Sequence, residues 1–155
     1  MKVKIAAVGR LRAGPEADLV SDYLDRFNKT GRAHGLGPVT VHEVEAKKGG
    51  MAAEAQLLEK ATQDCTPLCI LDERGRVMSS PDFARLICNW RDQGRGQAAF
   101  VIGGADGIDP ALRARADMAL SFGKMVWPHM LIRAMLAEQL YRAAAITAGT
   151  PYHRI

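Results

Sequence analysis

Short apolar runs alternate along the chain with longer stretches of helical spacing. Residues 3–8 are apolar apart from one lysine and close on Gly9, which predicts a buried strand. Leu19, Val20, Tyr23, Leu24 and Phe27 fall on one side of a helix over 16–27. Residues 28–38 are polar and glycine-rich and read as a loop, followed by a strand over 39–44. The basic loop Lys47-Lys48-Gly49-Gly50 leads into a helix over 51–61. A four-residue apolar strand, 68–71, ends in Asp72-Glu73-Arg74-Gly75. Ser80 followed by Pro81 predicts the cap and first position of a helix reaching about residue 93. A further buried strand over 97–102 ends in Gly103-Gly104-Ala105-Asp106-Gly107, and Asp109-Pro110 repeats the cap signal for a short helix. Residues 118–121 form a last strand, and Pro128 opens a long helix that Gly149 ends.

Short strands that are apolar on both faces, alternating with helices, predict an α/β domain with a parallel sheet flanked by helices. Ligands of such sheets bind beyond the carboxyl ends of the strands. That rule singles out the segments after Leu71, after Ile102 and after Ser121.

The length of 155 residues and a 48% hydrophobic content suit one domain with a sizeable core. The net charge of +4 mildly favours a polyanionic partner. The three cysteines (Cys65, Cys69 and Cys88) lack the CxxC spacing of a zinc or redox site. Cys69 and Cys88 read as small buried hydrophobes. With no signal-like start, they point to a reducing cytoplasm. The longest apolar stretches carry a charge, as at Arg133, so no membrane span is expected.

Three constellations carry candidate chemistry. The first is Gly103-Gly104, which reads either as a tight turn or as a place where a ligand approaches the backbone. It fits neither a dinucleotide fingerprint nor a Walker loop. The second is the irregular run Phe122, Gly123, Lys124, Met125, Val126 and Trp127, whose backbone could read an adenine edge while Met125 and Trp127 cover its faces. His129 follows in the first turn of a helix, as a structural histidine or a functional one. The third is the last helix with its tail. Glu138 and Arg142 have the spacing of an ion pair. Apolar residues from Ile132 to Ile146 cover more than one stripe, which places the helix either in the domain centre or at a subunit interface. Tyr152, His153 and Arg154 are unusual for a solvated end and offer stacking, proton transfer and phosphate binding.

Residues 100–107, Trp127-Pro128-His129, residues 136–142 and Pro151-Tyr152-His153-Arg154, with Val8-Gly9, Leu71-Asp72 and Gly75, resemble the RlmH family of the SPOUT class in order and spacing over nearly the whole chain. The resemblance implies a C-terminal trefoil knot, a homodimer, and S-adenosylmethionine as methyl donor without a metal. It also implies methylation of N3 of a pseudouridine in the helix 69 loop of large-subunit ribosomal RNA on the assembled ribosome. Carried over residue by residue, Leu71, Gly103, Gly104 and residues 122–127 hold the donor. His129, Arg142, Tyr152, His153 and Arg154 serve RNA binding and catalysis, with His153 the first choice of base. The family usually carries Leu-Ser-x-Leu-Thr-Leu before Pro-His. Here Val126 lacks the threonine hydroxyl and Trp127 is larger than leucine. Ile155 stands where an acidic residue is common. The alternative is a non-catalytic RNA-binding or ribosome-assembly module of the same fold.

Overall fold

A computed structural model describes residues 1–154; Ile155 lies outside them. The strands are β1 (Lys2–Val8), β2 (Val39–Val44), β3 (Leu68–Val77), β4 (Gln97–Ile102) and β5 (Met118–Ser121). The helices are α1 (Pro15–Gly31), α2 (Gly50–Thr62), α3 (Ser80–Asp92), α4 (Pro110–Arg115) and α5 (His129–Thr147). The strands form one sheet in the order β2-β1-β4-β3-β5, and all its neighbours are parallel.

Strand alternation divides the core into two layers. Val3, Ile5, Ala7, Cys69, Phe100 and Ile102 face α1, α3 and α5. Ala6, Val8, Ile70, Ala99 and Val101 face α2 and Leu112 of α4. Burial on both faces is why these strands read as unbroken apolar runs.

Several boundaries differ from the sequence expectation for local reasons. α1 continues to Gly31 and passes into a 3-10 turn, Arg32–His34, where a loop was expected. Ser79, not Ser80, caps α3. Its hydroxyl accepts the Asp82 N–H at 3.2 Å and lies 2.6 Å from the Asp82 carboxylate, while Ser80 reaches Gln139 instead. Cys69 is buried as expected, but Cys88 is only half-buried and lies 3.3 Å from the Thr147 hydroxyl. Asp109 caps α4 by accepting the Ala111 N–H at 2.8 Å. Gly149, at φ +67°, lets the chain leave α5 with its N–H and that of Thr150 on carbonyls of the last turn.

β3 departs most from expectation, running to Val77 rather than Leu71. Leu120 of β5 is in register with both Leu71 and Arg76, and Ser121 with Val77. Residues 72–75 therefore cross β5, and the chain resumes pairing with it afterwards. Gly75 sits at the crossing, where a Cβ would lie 2.7 Å from the Ala119 carbonyl carbon and 2.8 Å from its oxygen. The Ser121 hydroxyl, 3.1 Å from the Glu73 carbonyl, ties the crossing to the segment that follows β5.

The apolar breadth of α5 is accounted for within the subunit. The helix packs between α1 and α3, and Ala134, Leu136, Ala137, Leu140 and Ala143 to Ala145 are buried there. The exposed apolar residues lie elsewhere, with Val77, Met125 and Val126 each more than 60% exposed. Of the two placements that the sequence left open for this helix, the buried residues of α5 occupy the domain centre. Among the described residues, no helix is long and apolar enough to cross a membrane.

Candidate active site

A cavity of about 650 Å³ opens at the carboxyl ends of β3, β4 and β5, a size suited to a small organic ligand. Its walls come from the three segments that the strand-end rule singled out. Leu71, Gly103, Gly104, Phe122, Gly123, Met125, Val126, Trp127 and His129 all line it. Lys124 is exposed and does not. The 122–127 segment is shaped by Gly123, at φ +117°, a backbone conformation that favours glycine. Its N–H donates to the Ser121 hydroxyl at 3.1 Å.

The glycines after β4 combine the two readings that the sequence left open, a tight turn and backbone bared to a cavity. A Cβ on Gly103 would meet the Gly107 carbonyl oxygen at 2.6 Å. A Cβ on Gly104 would meet the Glu54 carboxylate and Val8, each at 3.1 Å. Both absent side chains would point into the protein rather than the cavity. The turn itself requires Gly103, and a valine there would disrupt the loop instead of filling the pocket. What the two residues present to the cavity is backbone.

Sequence reasoning missed the charged pair in this cavity. The Asp72 carboxylate, only 7% exposed, accepts the Arg74 N–H at 2.8 Å and pairs with the Arg113 guanidinium. Burial pushes the Asp72 carboxyl up, but the Arg113 hydrogen bond, the Arg74 N–H and both positive charges outweigh it, leaving a net lowering. Arg113 reads from sequence as a surface residue of a short helix, and nothing local marks it.

Arg133 was also missed, although a lone charge in an apolar helix was its signal. It is buried, 1% exposed, and donates to the carbonyls of Val8 at 2.6 Å and Gly9 at 2.7 Å. It also pairs with Glu43 at 3.0 Å. It thus fastens the ends of β1 and β2 to α5, one turn after His129.

The remaining candidates form a second group at the far end of α5. Arg142 donates to Glu138 as the spacing predicts, with Nε 2.9 Å from Oε1. The Tyr152 hydroxyl donates to the same oxygen at 2.9 Å, and its ring lies 4.5 Å from Tyr141 and under the Arg142 guanidinium at 4.7 Å. Burial first, then hydrogen bonds to Tyr23 and Glu138, raise the Tyr152 phenol, which stays protonated. His153 Nδ1 lies 3.3 Å from Arg142 Nη1. A guanidinium only donates, so Nδ1 accepts and the ring proton sits on Nε2. Arg154 is exposed. Tyr152 and His153 therefore pack against α5, and the picture of a solvated tail fails for them.

His129 and Arg142 are thirteen residues apart on one helix, about 20 Å along its axis. Within one subunit the structure does not bring the tail group to the cavity.

A family model described as "Predicted SPOUT methyltransferase" matches residues 1–153. The chain belongs to the SPOUT methyltransferase family. Similar proteins include the Ribosomal RNA large subunit methyltransferase H of Roseobacter denitrificans, 69% identical over 99% of both chains. The protein of that name from Dinoroseobacter shibae is 66% identical over the full length of both. Among solved structures, the fold is similar to a probable methylase family protein from Haemophilus influenzae Rd KW20, with a TM-score of 0.57 and 12% identity over 99% of this chain and 70% of that one. A probable methyltransferase from Bordetella pertussis Tohama I has a TM-score of 0.54 and 14% identity over 92% of this chain and 96% of that one. In this SPOUT chain the cavity stands where the strand-end rule locates a ligand, and Asp72, Glu73 and Arg74, just before Gly75, form one of its walls.

Proposed function

We propose that this protein methylates large-subunit ribosomal RNA, drawing the methyl group from S-adenosylmethionine, and that the acceptor is N3 of a pseudouridine in the helix 69 loop of the assembled ribosome. The observation that carries this reading is the strand-end cavity, lined by backbone and large apolar groups in a chain of this family. Its volume and mixed lining suit an adenosine with an amino-acid chain. Leu71, Gly103, Gly104 and the 122–127 segment would hold that molecule, which supplies an electrophilic methyl carbon when bound.

The chain's own task is placement. An in-line displacement requires the acceptor nitrogen behind the methyl carbon, and fixing that geometry removes much of the barrier. The N3 proton must also leave. His153 takes it when the incoming base displaces the Arg142 contact and frees Nδ1, while Arg142 stabilises the developing negative charge on the base. Tyr152 stacks on a base once its ring leaves Tyr141, and Arg154 binds phosphate. His129, on the cavity wall, orients the acceptor. The exposed Arg10, Arg12, Lys47 and Lys48 lie on loops beyond the neighbouring ends of β1 and β2, on the edge that holds the cavity. A basic edge there suits an RNA backbone.

Because the tail group and the cavity are far apart in one subunit, the working site is shared. A homodimer places one subunit's tail over its partner's cavity, and the exposed Val77, Met125, Val126 and Trp127 are covered by the second copy. The crossing of β5 by residues 72–75 belongs to the trefoil knot, and the reaction takes place in the cytoplasm. Light scattering at micromolar concentration is expected to report twice the chain mass; an active monomer would remove the shared site. Mass spectrometry of ribosomal RNA from cells with and without the protein tests the function. One methyl group in the helix 69 loop should disappear with it, and unchanged RNA would contradict the reading.

A further inference from the structure

S-adenosylmethionine has a flat adenine, a ribose diol and a zwitterionic amino-acid end. The cavity has matching halves. Leu71, Ile102, Leu120, Met125 and Trp127 are apolar wall, and Asp72 and Arg113 stand together as a charged pair. Other charged groups on the cavity rim are more exposed, and water screens them; the Arg74 side chain, for example, is 74% exposed. Asp72 at 7% and Arg113 at 29% are the more desolvated groups, where charge-assisted hydrogen bonds contribute most. Asp72 is the one hydrogen-bond partner of the Arg113 side chain among the described residues, so further guanidinium N–H groups remain to donate. The second Asp72 oxygen takes only a backbone N–H, that of Arg74, and an Arg74 Nε at 3.5 Å.

We propose that the Asp72–Arg113 pair is the subsite for the donor's amino-acid end, with Arg113 binding the α-carboxylate and Asp72 the α-ammonium group. This assignment rests on the donor reading of the cavity. A zwitterion placed against an ion pair of opposite sense leaves every charge with a partner, which a low-dielectric cavity requires. The same pair makes the site selective for the complete donor over adenosine thioethers without the amino acid. Asp72 begins the segment that crosses β5, and Arg113 lies on the helix that follows the Gly103-Gly104 turn. Occupation of the subsite therefore links two walls of the cavity.

Calorimetry with two ligands separates this role from a purely structural one. The demethylated donor, S-adenosylhomocysteine, carries the amino-acid end; 5′-methylthioadenosine lacks it. The wild-type protein should bind the first more tightly. Arg113→Ala and Asp72→Asn should each weaken S-adenosylhomocysteine by about 10-fold to 100-fold and change methylthioadenosine by no more than about twofold. Arg113→Lys, which keeps the charge and loses the fork, should fall between. Thermal melting shows whether each variant is folded. Equal weakening of both ligands, or a lower melting temperature with both affinities unchanged, would overturn the assignment and leave the pair a staple between β3 and α4. Failure of the wild type to bind either ligand would instead remove the donor reading itself.

Discussion

A chain truncated after Pro151 is expected to bind S-adenosylmethionine normally and to transfer methyl groups about 10²–10⁴-fold more slowly, or not at all. The cavity lies about 20 Å along α5 from the tail group, so the donor site survives the deletion. The loss includes His153 as proton acceptor, Tyr152 as stacking partner and Arg154 as phosphate partner. Arg142 remains but has lost its contact with His153. The deletion also has a structural cost. Tyr152 packs on Tyr141 and bonds to Glu138, so a destabilisation of about 1–2 kcal/mol is expected. That is small enough to leave the protein folded, and melting with calorimetry checks it. A mixing experiment locates the tail's target. The tail-less chain is combined with Ala105→Trp, whose indole fills the cavity from its exposed rim. Heterodimers should regain activity, because the intact cavity of one chain receives the intact tail of the other. No recovery would place tail and cavity in the same subunit.

Gly75→Ala is the second large effect. The new methyl would lie 2.7 Å from the Ala119 carbonyl carbon and 2.8 Å from that of Leu120, both backbone atoms that cannot rotate away. Overpacking against a side chain costs about 1–3 kcal/mol, and contact with buried backbone should reach the upper end or beyond. The crossing would open, and with it the cavity wall made by Asp72, Glu73 and Arg74. Denaturant unfolding should show a loss of about 3 kcal/mol or more, together with weakened donor binding. A variant of wild-type stability would mean that the crossing is looser than its geometry indicates.

β1, β4 and the first half of β3 were legible because burial on both faces keeps them apolar, and α3, α4 and α5 because a capping side chain or a glycine stop marks an end. Asp109 and Gly149 are cases where a local rule predicted a local geometry. The Ser79 cap was displaced by one residue because both neighbours are serines and only Asp82 decides between them. The second half of β3 was illegible. Glu73, Arg74 and Arg76 are polar because they pass over β5 at the surface, so the strand lacks the periodicity that marks a buried one. Arg113 escaped notice because its partner lies 41 residues away and meets it only through the sheet. The apolar α5 was ambiguous between core and interface, since an alanine-rich helix looks the same in both, and its packing between α1 and α3 decided for core. The candidate residues were named from the sequence, but their division into two distant groups required the fold.

Single-turnover transfer from donor labelled in the methyl group to purified ribosomes lacking the modification tests the central claim most directly. Nuclease digestion and mass spectrometry of the RNA then place the label. The account predicts one methyl group per ribosome, on N3 of a pseudouridine in the helix 69 loop of the large subunit. Absence of transfer by a folded, donor-binding dimer, or label on another nucleotide or on protein, would contradict it.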